Sequence, residues 1–142
     1  MNPNYITEFF NQSNESEKFD LSILSQMIKK AEQGDVNIQF NLGVMFLSGE
    51  GVQEDNIKVF FWFEKAAKQG LAQAQYNLGN MFKKGRGVQQ SYTQAFVWFE
   101  KAAEQGVAEA QNNLGNMYHS GKGAHQDKTK ALFGWKKQRA KD

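Results

Sequence analysis

Hydrophobic residues recur along the chain at intervals of three and four, which is the spacing of a helix with one buried face. Leu71, Ala74, Leu78 and Phe82 show this pattern. They predict an amphipathic helix that ends at Gly85, because glycine readily adopts the left-handed conformation that follows a last helical turn. The other side of the helix is polar, so only one face is expected to be buried.

A second helix is predicted after a short connector. Ser91 begins it, because a serine side chain can accept a hydrogen bond from an otherwise unpaired backbone N–H at a helix start. Gly106 ends it. Its predicted buried face consists of Ala95, Trp98, Phe99, Ala102 and Ala103. Two antiparallel helices therefore form one unit, and neither can bury its apolar face alone.

This unit repeats every 36 residues, since FWFEKAAKQG at 61–70 returns as VWFEKAAEQG at 97–106. Other columns recur at the same interval, namely Leu42, Leu78 and Leu114, then Gly43, Gly79 and Gly115, then Met45, Met81 and Met117. A period of about 20–50 residues is typical of solenoids. The predicted fold is therefore all-α, an α/α superhelix of about four helix–turn–helix repeats of about 36 residues each.

The repeat register divides the chain, which is expected to form a single domain over residues 1–142. A degenerate first unit at 1–34 precedes repeats at 35–70, 71–106 and 107–142, the last of which ends in a degenerate capping helix. Helices are expected near residues 3–11, 20–33, 36–48, 55–69, 72–84, 91–105, 108–120 and 127–139. No strand is expected.

The two ends depart from the pattern, as terminal repeats do. Ile23, Met27 and Ala31 stand one period before the buried face of the next second helix, so they are expected to be buried. At the other end, Gly134 and Gln138 replace apolar residues of that face. A polar face suits a helix that no further unit covers.

Gly79 lies in the middle of a predicted helix, where glycine costs about 1 kcal/mol relative to alanine. Glycine also stands one period earlier and one period later, at Gly43 and Gly115. This recurrence indicates a compensating role. We expect a partner helix to pack there too closely for any side chain.

Composition narrows the possible functions. The chain has 40% hydrophobic residues, no cysteine and a formal net charge of +2. Without cysteine the sequence cannot supply a disulfide, a thiolate metal ligand or a cysteine nucleophile. No apolar run is long enough to span a bilayer. Residues 1–19 lack the basic and apolar parts of a secretory signal, so a cytoplasmic location is expected.

Candidate chemistry is sparse. Gly85, Arg86 and Gly87 lack the preceding strand and the third glycine of a dinucleotide-binding loop, so they are interpreted as a turn. His119 and His125 are interpreted as surface residues, because a zinc site needs about three or four protein ligands. No catalytic residue, metal site or cofactor is predicted. The chain is interpreted as a non-enzyme.

The stretch AQAQYNLGNMFKKGRGVQQ, followed by QAFVWFEKAAEQG, resembles the Sel1-like repeat, an α/α solenoid related to tetratricopeptide repeats. The resemblance rests on Ala-x-x-x-Leu-Gly-x-x-Phe, then Gly-x-Gly-Val, then Trp-Phe-x-Lys-Ala-Ala, in two good copies. It covers residues 35–142 well and 1–34 only in outline. It implies a fold and an interaction role rather than a reaction.

By this resemblance, the first helix of each unit lines a concave groove that binds a protein or peptide partner. The residues expected to line the groove are Phe40, Val44, Leu47, Gln73, Tyr76, Asn80, Lys83, Asn112, Asn116 and His119. Tyr76 is expected to point away from the core and to act as an aromatic anchor of the kind found at binding hot spots. For Phe40 and Val44, packing against the first unit is an equal alternative.

Other functions are open at this point. The resemblance allows a toxin-neutralising immunity protein or a secreted host-interaction factor. Nucleic-acid binding would use residues 127–142, where six basic residues outnumber two acidic ones. It is the less favoured interpretation, because basic side chains also complement a helix C-terminus and keep a terminal cap polar. An enzyme would need a reactive cluster that the sequence lacks.

Overall fold

A computed structural model describes residues 15–123 and 130–131, with side chains from residue 21 onward. The helices within the first range are α1 (Glu15–Glu32), α2 (Val36–Ser48), α3 (Asn56–Lys68), α4 (Ala72–Lys84), α5 (Tyr92–Glu104) and α6 (Ala108–Ser120). No strand occurs in the described residues, which confirms the all-α prediction. The helix predicted near 3–11 lies outside these ranges, as does the one near 127–139 apart from residues 130–131.

The helices reproduce the period of the sequence. α2, α4 and α6 begin at residues 36, 72 and 108, and each has 13 residues. α3 and α5 also have 13 residues each and begin at Asn56 and Tyr92, one period apart. The extensive contacts among the described helices all join helices that are consecutive in the sequence. This is the packing of an open α/α solenoid, as predicted, and not of a closed bundle.

Buried side chains form three clusters along the described helices. The first cluster joins α1, α2, α3 and Met81 of α4, the second joins α3 and α4, and the third joins α5 and α6. The largest fully buried side chains are Trp62, Phe46, Phe63 and Phe99. Each cluster takes residues from neighbouring helices, so burial depends on the stacking of one helix on the next.

Side-chain caps fix where the second helices start. Asp55 Oδ1 accepts a hydrogen bond from the N–H of Ile57 at 3.0 Å. Ser91 Oγ accepts one from the N–H of Gln94 at 3.1 Å. Gly85 follows α4 with a φ of 71°, in the left-handed region that glycine adopts without steric cost. The predicted starts and stops at these positions are confirmed.

The glycine in the middle of α4 is explained by a close approach of α5. A Cβ atom placed on Gly79 would lie 2.7 Å from a ring carbon of Phe99. Gly43 on α2 stands in the same relation to the Phe63 ring of α3. The predicted close packing is therefore confirmed, and the partner at each site is an aromatic ring on the second helix of the same unit.

α1 differs from its prediction in where it begins. It starts at Glu15 rather than at Asp20 and has 18 residues instead of the 13 of α3 and α5. The five residues added at its start, ESEKF, contain neither glycine nor proline, so nothing in them interrupts a helix.

α1 also buries a different face. The prediction that Ile23 is buried is wrong, because 46% of it is exposed. Met27 is partly buried, whereas Leu24 and Ile28 are buried beside Ala31. α1 lacks the preceding Gly-x-Gly connector that sets the register of α3 and α5, so the repeat spacing does not fix which of its residues face the core.

On α5, Ala95, Phe99 and Ala102 are fully buried as predicted, whereas Trp98 and Ala103 are only partly buried. Trp62, one period earlier, has no exposed surface. Trp62 belongs to the cluster that contains Leu24 and Ile28 of α1. Trp98 packs on a cluster made largely of alanines, which cover less of the indole. The Lys101 ammonium lies 5.8 Å from the centroid of its ring.

Candidate protein-binding surface

The ten residues predicted to line a groove all lie on α2, α4 and α6, the first helices of their units. We refer to these ten residues as the first-helix surface. The exposed members are Val44, Leu47, Gln73, Asn116 and His119, and the partly buried members are Phe40, Tyr76, Asn80, Lys83 and Asn112. All ten are at least partly accessible. Their role in binding stays a prediction.

The two aromatic members pack within their own units. The rings of Phe40 and Phe63 have centroids 5.5 Å apart, and those of Tyr76 and Phe99 have centroids 5.9 Å apart. The expectation that Tyr76 points away from the core is therefore wrong, because its ring packs against Phe99, which is fully buried. Replacing Tyr76 would disturb the fold as well as any binding.

Two aliphatic members are exposed to solvent on α2. Val44 and Leu47 are each 40% exposed. Val44 therefore does not lie buried against the first unit, which was the alternative interpretation. The two residues are three apart on the helix and so lie on one side of it.

A pocket opens beside Leu47, between α2, α3 and α4. Its volume is about 140 Å³, and it is lined by Leu47, Val59, Phe63, Asn77, Asn80, Met81, Lys84 and Arg86. Val59, Phe63 and Met81 are buried and form an apolar floor. Two of the ten residues of the first-helix surface, Leu47 and Asn80, line this pocket. They belong to two different units.

The rim of the pocket is polar and partly basic. It consists of Asn77, Asn80, Lys84 and Arg86. Among the described residues, none of these four side chains has a hydrogen bond or an ion pair. None of the residues that line the pocket is acidic. The rim can therefore donate hydrogen bonds and offer positive charge to a bound group.

Sequence analysis missed Asn77, Lys84 and Arg86 as surface residues. A signal was present in the repeat register, because the columns of Lys84 and Arg86 are not uniform. Lys84 stands where the other first helices have Ser48 and Ser120, and Arg86 stands where the first connector has Glu50. Positions that vary between otherwise similar units are those that the packing of the unit does not dictate.

Glutamine side chains join each unit to the next and so fix the position of the first helices. Gln39 Nε2 donates to the carbonyl of Ala31 at 2.9 Å. Gln69 Nε2 donates to Gln39 Oε1 at 2.8 Å and to the carbonyl of Gly34 at 3.0 Å. Sequence analysis did not use these residues, although they recur one period apart.

The same bonds recur one period later. Gln75 Nε2 donates to the carbonyl of Ala67 at 3.2 Å, and Gln105 Nε2 donates to Gln75 Oε1 at 2.9 Å. Gln111 repeats the first of these bonds, to the carbonyl of Ala103 at 3.2 Å, but its buried Oε1 has no partner. The series of paired glutamines thus ends at Gln111 within the described chain.

Among the described residues, neither a metal-binding group of side chains nor a membrane-spanning helix is found. They contain no group of three or more His, Asp or Glu side chains that could hold a metal ion. His119 lies exposed near the end of α6, and His125 lies outside the described residues. None of the described helices combines the length and apolarity needed to cross a membrane.

Sequence comparison identifies the repeat. The sequence model of the Sel1 repeat matches residues 38–71, 72–107 and 108–133. The first match begins within α2, the second at the start of α4 and the third at the start of α6. Among curated protein sequences, none matches the chain.

Three solved structures with the same architecture come from bacteria. A protective antigen present in uropathogenic Escherichia coli strains, which displays an SLR fold, has a TM-score of 0.79 at 36% identity and covers 83% of this chain. The chain spans only 25% of that antigen. A Sel1 repeat protein from Oxalobacter formigenes has a TM-score of 0.75 at 36% identity, covering 83% of this chain and 89% of its own. Cysteine-rich protein B of Helicobacter pylori shares the fold, with a TM-score of 0.64 at 18% identity over 87% of this chain and 89% of its own.

Proposed function

Because the chain belongs to the Sel1 repeat family, whose members commonly mediate protein–protein interactions, we propose that it is a non-enzymatic module that binds a protein or peptide partner. The partner lies along the first-helix surface. The observation that carries this proposal is the exposed pair Val44 and Leu47, which adjoins the apolar pocket between α2, α3 and α4.

The solenoid architecture supports a surface of this kind. Stacked helix pairs present the first helices side by side, which creates an extended surface that spans several units. The glutamine bonds from each first helix to the unit before it hold these helices in fixed relative positions. A partner that contacts α2, α4 and α6 together therefore meets a preorganised surface, which reduces the entropy lost on binding.

The side chains of the surface suit a polypeptide ligand. Val44 and Leu47 offer apolar area, while Asn80 and Asn112 offer amides that can both donate and accept hydrogen bonds. A peptide backbone presents the same two kinds of group. Apolar contacts surrounded by amides are the usual arrangement of a protein interface with a polar rim.

Affinity capture from the source cell tests the proposal. The bait is the intact chain, and captured proteins are identified by mass spectrometry. A second bait carries Val44→Asp, and a third carries Val97→Asp as the matched control, because Val97 on α5 is also 40% exposed.

A partner of the first-helix surface is expected to be captured by the unchanged chain and by the Val97→Asp bait, and to be lost from the Val44→Asp bait. Circular dichroism of both variants establishes that they fold. A partner lost only from the Val97→Asp bait would place binding on the second helices and contradict the proposal.

A further inference from the structure

We infer that the pocket between α2, α3 and α4 receives an aliphatic side chain from an acidic segment of the partner, and that carboxylates of this segment pair with Lys84 and Arg86. The inference rests on the proposed function and adds the chemistry of the partner to it. Three features of the pocket carry it, namely its size, its unpaired polar rim and the residues that distinguish it from the equivalent positions of the next unit.

The size and floor of the pocket select one apolar side chain. Its volume of about 140 Å³ is below the ~300–1,000 Å³ of pockets that enclose a drug-sized ligand. Val59, Phe63 and Met81 form the floor, and Leu47 extends it toward solvent. A single aliphatic side chain inserted here would remove apolar surface from water on both partners, which is the main favourable contribution to such a contact.

The rim of the pocket favours a negatively charged group on the partner. Lys84 and Arg86 line the pocket, and no described carboxylate pairs with either of them. Asn77 and Asn80 beside them also have no side-chain hydrogen bond in the described part of the chain. A carboxylate would meet an arginine that can bind it through two parallel hydrogen bonds, which are stronger than those between neutral groups.

The repeat register shows that the fold does not require these cations. At the ends of α2 and α6, the position of Lys84 is held by Ser48 and Ser120, whose hydroxyls donate to the carbonyls of Met45 and Met117. A first helix in this protein can therefore end with a serine and does not need a cation at that position. Stabilisation of a helix terminus does not by itself account for Lys84.

The next unit would build a different pocket from the same positions. Leu47 corresponds there to Lys83, Val59 to Ala95, and Lys84 to Ser120. Phe63, Met81 and Arg86 correspond to Phe99, Met117 and Lys122, so most of the apolar floor and one cation recur, whereas the exposed leucine and the cation Lys84 do not. The combination of an exposed leucine with Lys84 and Arg86 beside it belongs to the pocket between α2, α3 and α4.

Fluorescence anisotropy with three labelled probe peptides tests the inference. The first peptide has leucine flanked on each side by two glutamates, the second has glutamines in place of the glutamates, and the third has glycine in place of the leucine. The first peptide is expected to bind, and the other two to bind at least about tenfold more weakly, because each lacks one of the two contacts.

Two charge variants of the intact chain locate the binding. Lys84→Ser with Arg86→Gln removes the rim cations and is expected to weaken the first peptide by about tenfold or more. Lys29→Gln with Lys30→Gln is the matched control, because it also removes two exposed cations at the end of a helix, on α1. The control is expected to leave the affinity within about twofold, as loosely held surface charges contribute little.

Equal binding of the glutamate and glutamine peptides would overturn the inference. Equal weakening by the two charge variants would do the same, as would a failure of the unchanged chain to bind the first peptide at about 1 mM. If the captured partner still binds the Lys84→Ser, Arg86→Gln variant while Val44→Asp abolishes its binding, the acidic-segment inference is wrong and the proposed protein-binding function stands.

Discussion

Trp62 and Trp98 occupy the same position in successive units but contribute differently to the core. Trp62 has no exposed surface, and it lies among large aliphatic side chains that include Leu24 and Ile28. Trp98 packs on small side chains and is partly exposed. A buried aromatic stabilises a fold in proportion to the apolar surface it removes from water.

Replacing each tryptophan by alanine should therefore have unequal effects. Trp62→Ala is expected to lower the free energy of unfolding by about 3–5 kcal/mol, as loss of a fully buried aromatic does. Trp98→Ala is expected to cost at least about 1 kcal/mol less, because solvent already reaches part of its ring. Urea denaturation followed by circular dichroism gives both values. An equal loss in the two variants would contradict the difference in burial.

Gly79→Ala should lower the stability of the protein, whereas helix propensity alone would predict that this change raises it. In an exposed helix the change would stabilise by about 1 kcal/mol. Here the new Cβ would lie 2.7 Å from the Phe99 ring, so a net loss of stability is expected, with about 1–3 kcal/mol due to overpacking. Thermal denaturation measures it, with Asn80→Ala on the same helix as the control. A higher melting temperature for Gly79→Ala would show that α4 and α5 are not closely packed.

At the scale of elements, the paired glutamines add hydrogen bonds to the apolar contacts between neighbouring helices. Gln75 bonds to the end of α3 through its Nε2 and to Gln105 through its Oε1. Gln111 makes only the first kind of bond among the described residues. The two glutamines thus provide a matched pair that differs in one hydrogen bond.

Gln75→Ala is accordingly expected to cost about 1 kcal/mol more in unfolding free energy than Gln111→Ala, since a net hydrogen bond contributes about that amount. Urea denaturation measures both variants. A Gln75→Ala, Gln105→Ala double variant should lose less than the sum of the two single changes, because the shared bond can be lost only once. Strict additivity would mean that the bond between the side chains contributes nothing.

The helices were predictable where local chemistry repeats in register. The bounds of α2 and α4 follow from their apolar spacing and from the glycines after them, and the start of α5 follows from the Ser91 cap. α1 was less predictable, because no Gly-x-Gly connector precedes it in the sequence to set its register and its buried face. Its orientation is determined by contacts with α2 that the sequence pattern does not contain.

At the scale of the whole molecule, the period of the sequence predicted the solenoid, but it predicted the binding surface only in part. Leu47 and Asn80 could be placed on the same surface because both lie on first helices. The pocket they share was not predictable, since it depends on how far α2 and α4 stand apart. The glycines on either side of Arg86 indicate only a turn, and nothing in the sequence pattern places Arg86 beside the pocket that it lines.

The central claim is that a partner binds the first-helix surface, and calorimetry on the captured partner tests it most directly. Val44→Asp with Leu47→Asp alters that surface. Ile57→Asp with Val97→Asp, on α3 and α5, likewise replaces two exposed aliphatic side chains by two charges. The first pair should weaken binding by more than about tenfold and the second should leave the dissociation constant nearly unchanged, because contacts outside an interface do not contribute to affinity. Loss of binding in the Ile57, Val97 variant with full affinity in the Val44, Leu47 variant would contradict the account.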